Sequence, residues 1–395
     1  MLGANVAMLR GLCTLGTVFS RRSSRDQTPN AIAAALAETG KPAFDLTGTN
    51  PTSAGIRYPE ELVSVLERAQ AESLVYAPEP FGLGAAREAV SRLTGAAIED
   101  TLLTASSSEA YGFLFKLLCD PGDAVLVPAP SYPLFEHLAE LEGVQALPYR
   151  LAYDGAWHVD LDSVRRAVTP DVRAIIVVSP NNPTGQYLSQ SERQALDELG
   201  LPLISDEVFA PFSLGESPAP SHAVGEACLT FTLDGLSKRA GMPQLKLGWT
   251  TLSGPAALRR EARTRLELIA DTFLSVGTPI QRALPGILEL CPAVTANIVQ
   301  RCRQNLLELE RAVAASPVTL LQPEAGWSAV LHLPRLQTEE ALVLALLREQ
   351  GVLIQPGWYY DFATEPYAVV SLLTEPAVFR EGVARLVAHV LRVAH

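Results

Sequence analysis

The sequence predicts an α/β protein: a large domain with a mainly parallel, seven-stranded sheet covered by helices on both faces, and a smaller α+β portion. Two observations carry the prediction. From about residue 100, short apolar and β-branched runs alternate with helical stretches, and strands that are apolar throughout belong to sheets buried on both faces. The chain has 395 residues, 48% of them hydrophobic, which is enough for a large core and more than one domain.

Pro29 to Thr39 reads as an Ala-rich helix stopping at Gly40, and Phe44-Asp45-Leu46-Thr47-Gly48-Thr49-Asn50-Pro51 as a strand ending in a turn. Helices Pro59–Gln70 and Gly84–Leu93 bracket a Pro- and Gly-rich stretch, Tyr76-Ala77-Pro78-Glu79-Pro80-Phe81-Gly82. The seven strands are Thr101–Thr104, Ala124–Pro128, Gln145–Tyr149, Ala174–Ser179, Leu203–Ser205, Leu229–Leu233 and Leu247–Leu252. Helices Glu109–Cys119, Leu134–Glu142, Leu161–Ala167 and Ser189–Leu199 lie between them, and a helical region from Pro255 to Glu289 breaks near Ser275–Pro279. An α+β portion closes the chain.

Composition excludes several functions. A formal charge of -12 and a pI near 5.1 oppose nucleic-acid binding, which needs clustered Lys and Arg. Five scattered cysteines without CxxC spacing suit reduced thiols in a cytoplasmic protein, and the scattered histidines predict no metal site. No run approaches the ~18 consecutive apolar residues of a membrane helix. Residues 1–27 read as an N-terminal extension: the cluster Arg21-Arg22-Ser23-Ser24-Arg25 follows the apolar run, where a secretory leader has its charges in front.

In parallel sheets, ligands sit beyond the carboxyl ends of the strands. Ala105-Ser106-Ser107-Ser108-Glu109 opens a helix there, suiting either a phosphate or ordinary serine capping. Pro130-Ser131-Tyr132-Pro133 offers an aromatic ring. Ser179-Pro180-Asn181-Asn182-Pro183-Thr184-Gly185 and Asp206-Glu207-Val208-Phe209 follow two further strands. Last comes Leu236-Ser237-Lys238, with Lys246-Leu247-Gly248-Trp249 beyond it. Lys238, one of four lysines, becomes a nucleophile if its surroundings lower its pKa.

In this order the motifs resemble the fold-type I pyridoxal-phosphate enzymes, and within them the class I/II aminotransferases. The resemblance implies that Lys238 forms the Schiff base with the cofactor and later moves the substrate proton. It implies that Asp206 keeps the pyridine nitrogen protonated, Asn182 donates to the phenolic O3′, and Tyr132 stacks on the ring. Ser106, Ser107 and Ser108 form the phosphate cup, with Lys246 in place of an arginine. Tyr76, together with Ser275 and Thr278, reaches the phosphate of a neighbouring subunit, which implies a homodimer with shared sites. Gly48, Arg57 and Trp358 fall on the substrate side. The domains are then an N-terminal small-domain segment at 28–58, a cofactor-binding large domain at 59–290 and a C-terminal small domain at 291–395.

Three departures bear on the substrate. Phe209 stands where many members carry a tyrosine, and loss of that hydroxyl should raise the pKa of the Schiff-base nitrogen. Gly235 replaces a serine often found in the phosphate cup. In Tyr367-Ala368-Val369-Val370-Ser371, Val369 occupies the place of the arginine that binds the substrate carboxylate. Arg57 and Arg239 are the candidate substitutes. The expected reaction moves an amino group between an amino acid and a 2-oxo acid. The alternative is a lyase, decarboxylase, racemase or cyclase using the same cofactor, and a non-catalytic binding protein is opposed by the intact Lys238, Asp206 and Asn182.

Overall fold

The computed structural model describes residues 19–23, 28–215, 221–222, 225, 227–364 and 366–394, so most of the 1–27 extension lies outside them. The first strand, β1 (Phe44–Asp45), belongs not to the large sheet but to the chain's C-terminal part. The large sheet comprises β2 (Thr101–Thr104), β3 (Ala124–Ala129), β4 (Gln145–Tyr153), β5 (Trp157–Val159), β6 (Val172–Val178), β7 (Leu203–Asp206), β8 (Thr230–Gly235) and β9 (Gly248–Ser253). Their spatial order is β2-β9-β8-β7-β6-β3-β4-β5. The contiguous run β8, β7, β6, β3 and β4 is parallel, whereas β9 is antiparallel to both of its neighbours.

The sheet thus has eight strands rather than seven. The additional one, β5, pairs antiparallel with an extended β4. The two are joined through Asp154-Gly155, where Gly155 adopts φ +115, a conformation that favours glycine. This edge hairpin is only half-buried, so it lacks the continuous apolar run by which the other strands are recognised.

Helices predicted from the pattern appear at Ala31–Thr39, Glu61–Ala71, Gly84–Thr94, Ser107–Leu118, Leu134–Glu142, Leu161–Ala167 and Gln190–Asp197. The break near residue 275 separates helix Ala256–Phe273 from helix Thr278–Val313. The second helix runs on through Pro285, Pro292 and residue 290, where the sequence reading divides large from small domain. By length and hydropathy it could cross a membrane; here Leu284, Ile287, Cys291, Val294, Ile298, Cys302 and Leu309 form a buried stripe along it.

Beyond it lie β10 (Thr319–Leu321), β11 (Ser328–His332), β12 (Val352–Leu353), β13 (Gln355–Pro356) and β14 (Tyr367–Ser371), then helix Pro376–Ala394. Strands β10-β11-β14-β13 form an antiparallel sheet, and β12 pairs in parallel with β1. That pairing ties residues 44–45 to the C-terminal segment. One apolar cluster runs from Ala329, Leu331 and Val370 of this sheet, with Leu372 just past it, to Phe209, Phe212 and Trp327. The core of the small sheet therefore reaches the loop that follows β7.

Candidate active site

Four parallel strands deliver the predicted residues at their carboxyl ends. After β3 comes Tyr132, after β6 comes Asn182, at the end of β7 stands Asp206, and just after β8 stands Lys238. Lys238 lies in the one-turn helix Leu236–Arg239. Its Nζ is 5.2 Å from the centre of the Trp327 ring and 5.4 Å from that of Phe209. Burial lowers its pKa, and the Asp206 charge opposes that shift only partly. Phe209 thus forms an apolar wall at the amine, edge-on to Trp327.

Asp206 is 8% exposed. Burial raises its pKa from 3.8 to about 6, against hydrogen bonds from the Val208 N–H and the Tyr111 hydroxyl. Val208 N donates to Oδ1 at 3.2 Å and Tyr111 OH to Oδ2 at 3.0 Å. Tyr111 escaped the sequence reading. Its signal was its position four residues after Ser107, on the same face of the same helix.

Asn182 accepts from Ser328 Oγ through Oδ1 at 3.3 Å. That bond turns the amide so that Nδ2 is left as a donor. Neighbouring Asn181 has a structural task instead: its Nδ2 reaches Pro130 O and Thr184 Oγ1, and its Oδ1 accepts from Ser131. Tyr132 is 47% exposed.

The serine turn caps its helix and leaves the helix end open to an anion. Ser106 caps helix Ser107–Leu118 by accepting from Glu109 N at 3.1 Å, while Glu109 accepts from Ala105 N at 2.7 Å. The N–H groups of Ser107 and Ser108 remain at the open helix end, where the dipole favours an anion. Gly248 permits the close approach of β9, since a Cβ there would lie 3.3 Å from the Ser106 carbonyl carbon and 3.4 Å from Ser107 N. Gly235 is tighter still: its Cβ would fall 2.8 Å from Gly248 Cα. Glycine at 235 is therefore required by backbone packing. Gly235→Ser should destabilise the fold by about 1–3 kcal/mol, the usual range for overpacking; an unchanged urea midpoint would refute the crowding.

The remaining site residues divide. Lys246 is exposed, with φ +50, at the end of the turn leading into β9. Arg239 is committed elsewhere: its Nε lies 2.7 Å from Oδ2 of buried Asp234, so it is not free to bind a substrate carboxylate. Arg57 is exposed, and its loop is anchored by Tyr58 OH donating to Gly241 O at 2.6 Å. Gly48 O accepts from Ser371 Oγ at 2.6 Å. Trp358 is 37% exposed; its N–H donates to Glu339 at 2.8 Å. Val369 is buried in an apolar cluster with Val330 and Tyr360, so nothing at that position can pair with an anion. Tyr76, Ser275 and Thr278 line one cleft together, and neither Lys238 nor the serine turn lines it.

The donor set suits pyridoxal phosphate. A desolvated amine can take its aldehyde, a buried carboxylate its pyridinium, an amide N–H its phenolate oxygen and a helix N-terminus its phosphate. The fold is that of the fold-type I pyridoxal-phosphate enzymes. The solved alanine aminotransferase of Pyrococcus furiosus superposes with a TM-score of 0.85 at 23% identity, over 95% of this chain and 100% of that one. The chain belongs to the class I and II aminotransferase family, whose description matches residues 47–380. Among its relatives are the glutamate-pyruvate aminotransferases AlaA of Haemophilus influenzae and of Escherichia coli. The first is 26% identical over 373 residues, covering 89% of this chain and 91% of the relative. The second is 29% identical over 361 residues, covering 85% and 88%.

Proposed function

We propose that this aminotransferase holds pyridoxal phosphate on Lys238 and moves an amino group between an amino acid and a 2-oxo acid. The observation that carries the reading is the desolvated Lys238 amine set between an aromatic wall and the buried carboxylate of Asp206. When bound, the cofactor supplies an aldehyde that captures amines and a protonated pyridine that delocalises carbanion charge. The protein's own groups do the rest. Lys238 Nζ would hold the cofactor through its aldehyde carbon, the aldehyde oxygen leaving as water, and its amine would take the proton from the substrate's Cα. Asp206 would hold a proton on the pyridine nitrogen, Asn182 Nδ2 would donate to the phenolic oxygen, and Tyr132 would cover the ring. Ser106, Ser107, Ser108 and Lys246 would hold the phosphate. Phe209 and Trp327 exclude water around Nζ.

With Val369 apolar and Arg239 paired to Asp234, Arg57 is the arginine proposed for the substrate carboxylate, beside Gly48 and Trp358. A homodimer with shared sites fits exposed Leu74, Val75 and Tyr76 beside the cleft that Tyr76 shares with Ser275 and Thr278. The free thiols Cys119, Cys228, Cys291 and Cys302 support a reducing compartment, the cytoplasm. The apolar setting of Val369 also favours a second reading: a lyase, decarboxylase, racemase or cyclase on the same cofactor.

Single amino acids mixed with the holoprotein separate the two readings. Transamination converts the cofactor to its amine form, bleaching the visible band, and a 2-oxo acid restores it. Turnover without any acceptor would instead establish the second reading. In the same assay Arg57→Ala should raise the KM of the amino donor about tenfold or more, the scale of one charge-assisted contact. An unchanged KM removes Arg57 from the carboxylate site.

A further inference from the structure

We propose that Tyr111 is a positioning residue that sets where the proton rests between Asp206 and a bound pyridine nitrogen. The inference rests on the cofactor placement proposed above. Tyr111 is 2% exposed. Its ring is wedged between Phe135, edge-on at 5.4 Å, and Phe115 at 5.9 Å, so the hydroxyl has one place to go. It donates to Asp206 Oδ2 at 3.0 Å. Burial and the Asp206 charge hold this phenol well above its ordinary pKa, which keeps it protonated and therefore a donor.

A carboxylate and a pyridine facing each other compete for one proton. Each hydrogen bond donated to the carboxylate weakens its claim, and the proton then stays on nitrogen, where it makes the ring an electron sink. Around Asp206, burial and the Asp234 charge strengthen its hold on a proton, and the Lys238 charge weakens it. The Val208 N–H serves Oδ1, and Tyr111 serves Oδ2. The same helix presents Ser107 at its phosphate-binding end and Tyr111 one turn later. One rigid element thus orders both ends of the cofactor.

The test uses holoprotein loaded with cofactor labelled with 15N in the ring. Tyr111→Phe removes only the hydroxyl. It should move the 15N resonance toward that of unprotonated pyridine and lower kcat about tenfold or more, with the KM of the amino donor little changed; hydrogen bonds to charged groups act on this scale. Site-specific 3,5-difluorotyrosine at 111 keeps the ring and strengthens the donor, so it should move the resonance the opposite way. It also serves if the phenylalanine variant does not fold. Asp206→Ala is the control. If Asp206→Ala shifts the resonance and neither change at 111 does, Tyr111 is only a packing residue and the proposal is overturned. If Asp206→Ala leaves it unmoved, the cofactor does not face Asp206, and the underlying placement fails together with the role of Tyr111.

Discussion

Lys238→Ala should abolish transamination, with kcat falling by at least about 10⁴, the upper range for a positioned acid/base group, while the fold survives. Both halves follow from the surroundings of Nζ. The amine is desolvated by Phe209 and Trp327, and burial lowers its pKa, which favours the neutral, nucleophilic form. Alanine supplies neither a nucleophile for the cofactor nor a base for the substrate's Cα–H, and no other lysine stands in this apolar box. The stability effect runs the other way. A buried ammonium close to aromatic faces gains some cation–π attraction, but its desolvation opposes folding, so truncation should shift the unfolding midpoint little. The checks are the loss of the bound cofactor's visible band, single-turnover rates with an amino donor, and thermal unfolding. Retained turnover would show that the reacting amine is elsewhere.

The sequence made this site legible because its residues lie just past buried strands, and such strands announce themselves as apolar runs. Lys238, Asp206, Asn182 and Tyr132 each lie just past such a strand, and the resemblance to the aminotransferase family assigned their expected roles. The structure then brought them to one edge of the sheet, because β3, β6, β7 and β8 run in parallel. What stayed hidden were partners made by packing across the chain. Tyr111 meets Asp206 over 95 positions, and Ser328 meets Asn182 over 146; no local pattern encodes such pairs. Arg239 misled for a different, local reason. Its sequence neighbour Lys238 suggested a site residue, but its charge is spent on Asp234, five positions upstream. Gly235 looked like a missing phosphate ligand until the contact with Gly248 showed that no side chain fits. The eighth strand was missed because a half-buried edge carries a weaker pattern than the sheet's interior.

Asp206→Asn should cost activity and, without cofactor, gain stability. The pKa of Asp206 is about 6 in the fold against 3.8 for the free side chain, chiefly through burial. Between these values the folded state binds the extra proton, so this group's contribution to stability falls as pH rises through the window. At pH 7 the ionised carboxylate therefore opposes folding of the apoprotein, by on the order of 1–3 kcal/mol on the scale of 1.36 kcal/mol per pKa unit. Asparagine removes that charge and can still accept from Tyr111. Its advantage should be full above pH 6 and vanish below about pH 4, where the wild-type carboxyl is protonated in both states. Bound cofactor in the proposed placement would invert the comparison, because a pyridinium partner would compensate the buried charge and asparagine could not hold a proton on the ring nitrogen. The expected loss in kcat is on the order of 10²–10³, the range for removing one preorganised electrostatic contact at a reacting centre. Thermal unfolding of apoprotein and holoprotein at pH 7 and pH 4 reads the crossover. An apoprotein that asparagine destabilises equally at both pH values would mean that Asp206 supports the fold and is not held in strain for the cofactor.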